Sequence, residues 1–325
     1  MSQDRMNASA LRNRSIGLPS RRPVLAYHPN ERKEEPTMCE RDHFQGRTGL
    51  TRREFGAIGV AGAASACAPM ASGNATDTGI ASDTVSFAAD GGTMDGVFLR
   101  PSSGAHPGVI LWPDIAGLRP AKVQMGRRLA GEGYAVFVAN PYYRSVSGQQ
   151  FSDFESFREA DGFAAVRPWR ERNTPEAIMA TARDVVSWLD QQDAVDSTRG
   201  IGNQGYCMTG SWTIMSAAAV PGRVKAAASF HGGQLVGDAP NAPANLLDDM
   251  ADDAGALIAI AQDDDADDPG AKVALANAGS AAAADVTVDV YAGDHGWTVL
   301  DSPAYAEDAA ERAWSALKAL YDTHL

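Results

Sequence analysis

The stretch Gly202-Asn203-Gln204-Gly205-Tyr206-Cys207-Met208-Thr209-Gly210 decides the reading of this chain. A short strand, Arg199-Gly200-Ile201-Gly202, runs into it, and a small-residue helix, Thr213 to Val220, follows. Small residues between them permit a sharp turn. A tight strand-to-helix turn holds one side chain clear of the backbone, the layout of a nucleophile elbow with Cys where Ser is usual. The helix N-terminus beyond Cys207 directs N–H groups and partial positive charge at the sulfur. That field favours a thiolate and the oxyanion that forms later. A lone Cys is more commonly a buried structural residue; the glycines around Cys207 point to function.

The flanking sequence alternates strands with helices. Val85–Ala88 and Gly96–Leu99 flank the turn Asp90-Gly91-Gly92 and predict an antiparallel hairpin at the start of the body. Gly108–Trp112 and Tyr134–Ala139 are continuous apolar runs, as buried parallel strands should be. Pro120–Gly131 has helical spacing, with Lys122, Arg127 and Arg128 expected on its polar face. Pro175–Gln192 reads as a helix capped by Thr174. Lys225–Phe230, Ala256–Ala261 and Val286–Tyr291 read as strands, with helices near 269–279 and 304–321. This alternation predicts an α/β fold with a mostly parallel sheet covered on both faces. One core, hence one catalytic domain, is expected over 80–325. The exception is 141–173, a long connection with seven aromatic residues, including Tyr142, Tyr143, Phe163 and Trp169. Its length and aromatic content predict a lid or pocket wall.

A thiol nucleophile needs a base. His295, in Tyr291-Ala292-Gly293-Asp294-His295-Gly296-Trp297, follows the last expected strand. His28, His43 and His324 lie near the ends of the chain, and His106 sits in a turn before a strand. His231, in Phe230-His231-Gly232-Gly233, also ends a strand and borders the expected pocket. Order along the chain selects His295, because nucleophile, acid and then His follow one another in α/β-hydrolases. The acid belongs after Ala256–Ala261, where the chain reads Gln262-Asp263-Asp264-Asp265-Ala266-Asp267-Asp268. One of these carboxylates should orient His295 and stabilise its imidazolium.

From about residue 84 to 322 the chain resembles the dienelactone hydrolase family of α/β-hydrolases. The matching residues are Gly205-Tyr206-Cys207, the acid loop, and His295 with Gly296 and Trp297. The resemblance implies a Cys207–Asp264–His295 triad, with Asp263 and Asp265 the neighbouring alternatives for the acid. It also implies that Asp114, where the family often has Glu, holds the resting thiol. Arg144, in Pro141-Tyr142-Tyr143-Arg144, would bind a substrate carboxylate, with Tyr143 and Trp297 beside it. Thr209 stands where the family usually has Gly.

The implied chemistry is hydrolysis through a thioester. Cys207 attacks an ester or lactone carbonyl, and the N–H groups of Met208 and Ile115 receive the oxyanion. His295 protonates the leaving oxygen and then activates water. No metal or organic cofactor is expected, and no Cys-x-x-Cys or His-Glu-x-x-His pattern occurs. Asp114 beside the thiol would leave it only partly ionised until substrate arrives. Two alternatives stand: a broad carboxylesterase or thioesterase with the same triad, and a non-catalytic binding protein of the same fold. Arg144 separates the first from a dienelactone-like enzyme, because a neutral ester does not need it.

Charge is uneven. Residues 1–67 hold 11 Lys+Arg against 7 Asp+Glu, and the rest of the chain 17 against 34, within a net of −13. So acidic a body argues against nucleic acid as a partner. Three cysteines, Cys39, Cys67 and Cys207, make no disulfide scaffold. Thr51-Arg52-Arg53-Glu54-Phe55-Gly56 and the small apolar run Ala57–Ala66 resemble a signal for the twin-arginine export machinery, which predicts a periplasmic protein. Met38 is the more typical start for such a signal. Ala64-Ser65-Ala66-Cys67 resembles a lipoprotein box, so Cys67 is either a lipid tether or incidental to a plain cleavage. The expected organisation is a signal-bearing extension over 1–67, a linker over 68–79 and the catalytic domain over 80–325.

Overall fold

A computed structural model describes residues 79–325. The twin-arginine and Cys67 signals therefore lie outside the described residues, as does the expected linker up to residue 78.

The chain opens with the hairpin β1 (Ile80–Ala89) and β2 (Gly92–Pro101). Then come β3 (Gly108–Trp112), α1 (Pro120–Gly131) and β4 (Ala135–Ala139). Next are α2 (Phe154–Glu159), α3 (Gly162–Arg170) and α4 (Pro175–Leu189). β5 (Ile201–Tyr206) leads through a 3₁₀ turn at Cys207–Thr209 into α5 (Gly210–Ala219). β6 (Val224–Phe230), α6 (Pro243–Leu246), β7 (Gly255–Ala261) and α7 (Gln262–Asp267) follow. The chain closes with α8 (Pro269–Ala281), β8 (Asp285–Tyr291) and α9 (Glu307–His324).

The strands form one sheet in the order β1-β2-β4-β3-β5-β6-β7-β8. β1–β2 and β2–β4 are antiparallel and every other pair is parallel. This is the expected doubly covered α/β-hydrolase sheet. Alternation along β3 shows how the sheet divides the core. Val109 and Leu111 pack with Leu129, Ala313, Leu317 and Tyr321 from α1 and α9. Ile110 and Trp112 pack with Ile178, Val185 and Trp212 from α4 and α5. All five β3 residues are buried, as a strand covered on both faces requires. Burying each large apolar side chain contributes roughly 1.5–3 kcal/mol.

Local chemistry sets the helix starts. Thr174 accepts a hydrogen bond from Ala177 N–H with Pro175 at the first helical position, and Asp153 caps α2 through Ser156 N–H. The expected loop over 141–173 is corrected by this: it contains two short helices, α2 started by the Asp153 cap and α3 following Asp161. Lys122 is a second correction. The helical spacing of α1 put it on a polar face, yet it is fully buried and paired with Asp114. Among the described residues no helix is long and apolar enough to cross a membrane.

Candidate active site

Four loops meet at the carboxyl ends of parallel strands β3, β5, β7 and β8, where open α/β sheets gather their functional groups. They carry Asp114–Arg119, Cys207, Asp264 and His295 respectively.

Cys207 has a φ of +54°, a left-handed backbone rare for a residue with a Cβ. Such conformations cost about 1–3 kcal/mol and persist where surrounding contacts over-determine them. The contacts here are specific. A Cβ on Gly205 would run into the Thr209 carbonyl, and one on Gly210 into the Gly232 backbone. The Thr209 hydroxyl donates to Trp112 O at 2.8 Å and accepts from Tyr206 N–H at 3.0 Å. Gly233 N–H donates to Cys207 O at 3.1 Å. The turn is thus laced to the end of β3 by the hydroxyl at the position where Gly was the family expectation.

His295 stands between Asp264 and Cys207. Its Nδ1 lies 2.8 Å and 3.0 Å from the two Asp264 oxygens. Its Nε2 has no nitrogen or oxygen partner, and the group facing it is the Cys207 sulfur. Burial by itself would push this imidazole down. The Cys207 charge, reinforced by hydrogen bonds to Asp264 and Cys207, outweighs burial and holds it well above 6.5. The imidazole is thus flanked by the Asp264 carboxylate on one side and the Cys207 sulfur on the other.

Neighbouring acids have separate tasks. Asp263 Oδ1 accepts from the backbone N–H of His295 at 2.8 Å and of Asp264 at 3.0 Å. Asp265 pairs with Lys272 at 2.8 Å. Gln262 bridges the two loops, its Nε2 donating to Asp294 Oδ1 at 2.9 Å. Of the three adjacent carboxylates only Asp264 reaches the imidazole, so α7 resolves what the spacing left open.

His231 lies beneath the pair, its ring centroid 4.9 Å from that of His295. Its Nε2 meets Thr298 Oγ1 at 3.0 Å. Burial, with the His295 charge as the next cause, pushes it well below 6.5, so it stays neutral. The sequence placed His231 at a strand end bordering the pocket, and the structure puts it against the back of His295.

Four expected site residues are placed differently. Asp114 is engaged by two cations that the sequence did not pair with it: its carboxylate meets Arg119 at 2.7 and 2.9 Å, Lys122 at 2.9 Å and Ala116 N–H at 3.0 Å. Burial would raise this carboxyl, but Arg119 and Lys122 overcome it and hold it well below the usual carboxylate range. Tyr143 and Arg144 turn away from Cys207. Asn140 accepts from Tyr142 N–H at 2.9 Å, and beyond this turn Tyr142 and Tyr143 point to different clusters. Tyr143 OH reaches Asp90 O at 2.6 Å, and Arg144 pairs with Asp90 at 2.9 Å and donates to Ala177 O at 2.8 Å. Trp297 is fully buried and stacked on Tyr291, under the His295 loop instead of in a substrate cleft.

Ile115 and Met208 do lie beside Cys207, in one apolar cluster with Ala116, Tyr142, Phe154 and Phe157. Tyr142 OH donates to Ile115 O at 2.6 Å and so tethers the 141–173 segment to the loop after β3. Among the described residues no group of three or more His, Cys, Asp or Glu side chains is arranged to hold a metal ion.

Residues 94–325 match the family model described as "Dienelactone hydrolase family". A Salmonella typhi protein described as "Putative carboxymethylenebutenolidase" is 29% identical over 264 residues, covering 80% of this chain and 93% of the relative. An Escherichia coli protein of the same description is 27% identical over 265 residues, 79% and 93% of the two chains. Among solved structures, a dienelactone hydrolase-like promiscuous phosphotriesterase from metagenomic libraries superposes with a TM-score of 0.57 at 22% identity, over 75% of this chain and 98% of that one. A dienelactone hydrolase from Anabaena variabilis gives 0.52 at 16%, over 75% and 99%. At these identities the solved structures speak for the fold alone.

Proposed function

The chain belongs to the dienelactone hydrolase family, and on that premise we propose that it cleaves a lactone or ester bond through a thioester on Cys207. The observation that carries this reading is the position of His295, between the Asp264 carboxylate and the Cys207 sulfur.

The Cys207 thiolate attacks the carbonyl carbon, and the oxyanion receives the N–H groups of Met208 and Ile115. Each donor of this kind is worth ~3 kcal/mol of transition-state stabilisation. The His295 imidazolium gives its proton to the leaving oxygen. The neutral imidazole then takes a proton from water, whose oxygen attacks the thioester and releases the acid, restoring Cys207. Asp264 holds the tautomer and offsets the imidazolium charge. A lactone keeps its leaving hydroxyl tethered, so thioester hydrolysis must outrun ring closure.

The placement of Arg144 favours a particular substrate class. It is paired with Asp90 instead of facing Cys207, and away from His295 the thiol packs in an apolar cluster with Ile115, Ala116, Tyr142, Phe154 and Phe157. Both features favour an uncharged ester or lactone over one bearing a carboxylate. For the cell, we propose export through Arg52-Arg53 to the periplasm, with Cys67 as the position for a lipid tether. Lys at both positions 52 and 53 should retain the precursor in the cytoplasm.

The test is iodoacetamide labelling with peptide mapping, alongside turnover of uncharged aryl esters and a carboxylate-bearing lactone. Labelling should fall on Cys207, an uncharged competitive inhibitor should protect it, and aryl esters should be the better substrates. Full hydrolysis by Cys207→Ala would sink the mechanism.

A further inference from the structure

Arg119 is fully buried, and its hydrogen bonds go to Asp114, Gly117 and Asp301 and not to the Cys207, His295 and Asp264 side chains. Its guanidinium makes five hydrogen bonds. Nη1 and Nη2 reach the two Asp114 oxygens at 2.7 and 2.9 Å, and Nη1 also donates to Gly117 O at 3.2 Å. Nε and Nη2 reach the two oxygens of Asp301, each at 2.8 Å. Asp301 in turn accepts from the backbone N–H of Phe154, the first residue of α2, at 3.0 Å. The guanidinium also lies over the Phe154 ring, 5.8 Å from its centroid.

Three segments are therefore joined through one planar cation. Residues 114–117 carry Ile115. Residues 296–301 follow His295. Phe154 opens the aromatic segment and packs in the cluster that holds Cys207. Two carboxylates on one guanidinium in a dry site form a rigid fork-to-fork arrangement, which a flexible ammonium cannot reproduce. A buried ion pair is weak evidence for stability, since desolvation offsets much of the attraction. Its value here is geometric.

We propose that Arg119 is a positioning residue that fixes the Ile115 N–H and the Phe154 wall relative to Cys207, so that oxyanion stabilisation and acyl-group recognition share one clamp. Asp301 is the branch to the aromatic wall and Asp114 the branch to the donor loop. The proposal rests on Ile115 serving as an oxyanion donor in the reading above. It makes Asp114 a strut of the donor loop and leaves the thiol to His295.

The experiment uses the full chain with two uncharged esters, a small 4-nitrophenyl acetate and a bulky 4-nitrophenyl ester with an aromatic acyl group. Arg119→Lys keeps a cation but loses the fork, and kcat should fall about 10- to 100-fold on both esters, the scale of a displaced donor. Asp301→Asn, at a side chain 20% exposed and conservative in shape, should raise KM about 5-fold or more for the bulky ester, with the acetate within 2-fold. Cys207 alkylation by iodoacetamide should stay within about 2-fold in both variants, because the thiolate–imidazolium pair is untouched. Equal changes on both esters in Asp301→Asn, or wild-type kcat in Arg119→Lys, would overturn the clamp. So would a parallel loss of alkylation rate. Failure of the thioester mechanism would show differently, as wild-type activity in Cys207→Ala.

Discussion

Thr209→Val isolates the hydroxyl that laces the nucleophile turn to the sheet. Thr209 is fully buried, and its Oγ1 serves both Trp112 O and Tyr206 N–H. Valine nearly keeps the shape and removes the hydroxyl that serves both. Two buried hydrogen bonds disappear and two backbone groups lose their only side-chain partner, which costs about 2–4 kcal/mol in total. For a body of this size the melting temperature should drop by about 5–15 °C. The turn holds Cys207 at a φ of +54°, and the Met208 N–H is one residue on, so loosening it should move reacting atoms as well. A displacement near 1 Å costs about 100-fold in rate, so kcat should fall at least 10-fold with a smaller change in KM. Thr209→Ser keeps the hydroxyl and should stay within about 1.5 kcal/mol of wild type. Thermal unfolding and steady-state kinetics on one aryl ester measure both effects. If Val matches wild type in melting temperature and kcat, the hydroxyl does not restrain the turn.

The carboxylates of the acid loop should separate in activity assays. Asp264→Asn should lower kcat by about 10²- to 10⁴-fold through the wrong imidazole tautomer. Asp263→Ala, which frees the His295 backbone N–H, should fall between that and wild type. Asp265→Asn should change stability by less than about 1 kcal/mol and leave kcat alone; a ranking with Asp265 first would contradict the geometry. Arg144→Ala should lower the melting temperature, since a part-buried network on Asp90, Ala177 and Thr181 is lost. It should leave the ratio of kcat/KM for charged and uncharged esters unchanged, and a selective loss on the carboxylate substrate would return Arg144 to the site. Histidine titration by NMR gives the pH test. His295, raised by Cys207 and Asp264, contributes stability that is full below its unfolded value near 6.5 and is lost as pH rises through its folded value. His231, lowered by burial, contributes stability present above 6.5 and lost as pH falls through its own folded value. Cys207→Ala should therefore lower the His295 titration and flatten the alkaline decline, and an unchanged His295 would contradict the ion pair.

Much of this architecture is local in origin and hence readable. Continuous apolar runs such as Gly108–Trp112 demand burial on both faces, and Pro after a capping Thr at 174–175 starts a helix wherever it occurs. The order of nucleophile, acid and His along the chain pointed to the same three loops that the sheet brings together. Side-chain direction is a different matter. Nothing in the spacing of Tyr142, Tyr143 and Arg144 says which of them turns toward Cys207, because a turn capped by Asn140 decides it. Lys122 sits at a polar position of α1 by periodicity, yet the carboxylate that receives it comes from another loop. The family-like Asp114 suggested a hold on the thiol, and only the fold could reveal two cations competing for it. The spacing alone left three neighbouring carboxylates open, the resemblance implied Asp264, and the first turn of α7 aims that one at the imidazole. Periodicity and turn chemistry act over a few residues, so the sequence by itself determined the elements and the loops that carry chemistry. Pairings such as Arg119 with Asp301, 182 positions apart, depend on how the sheet stacks those loops, and only the tertiary structure decided them.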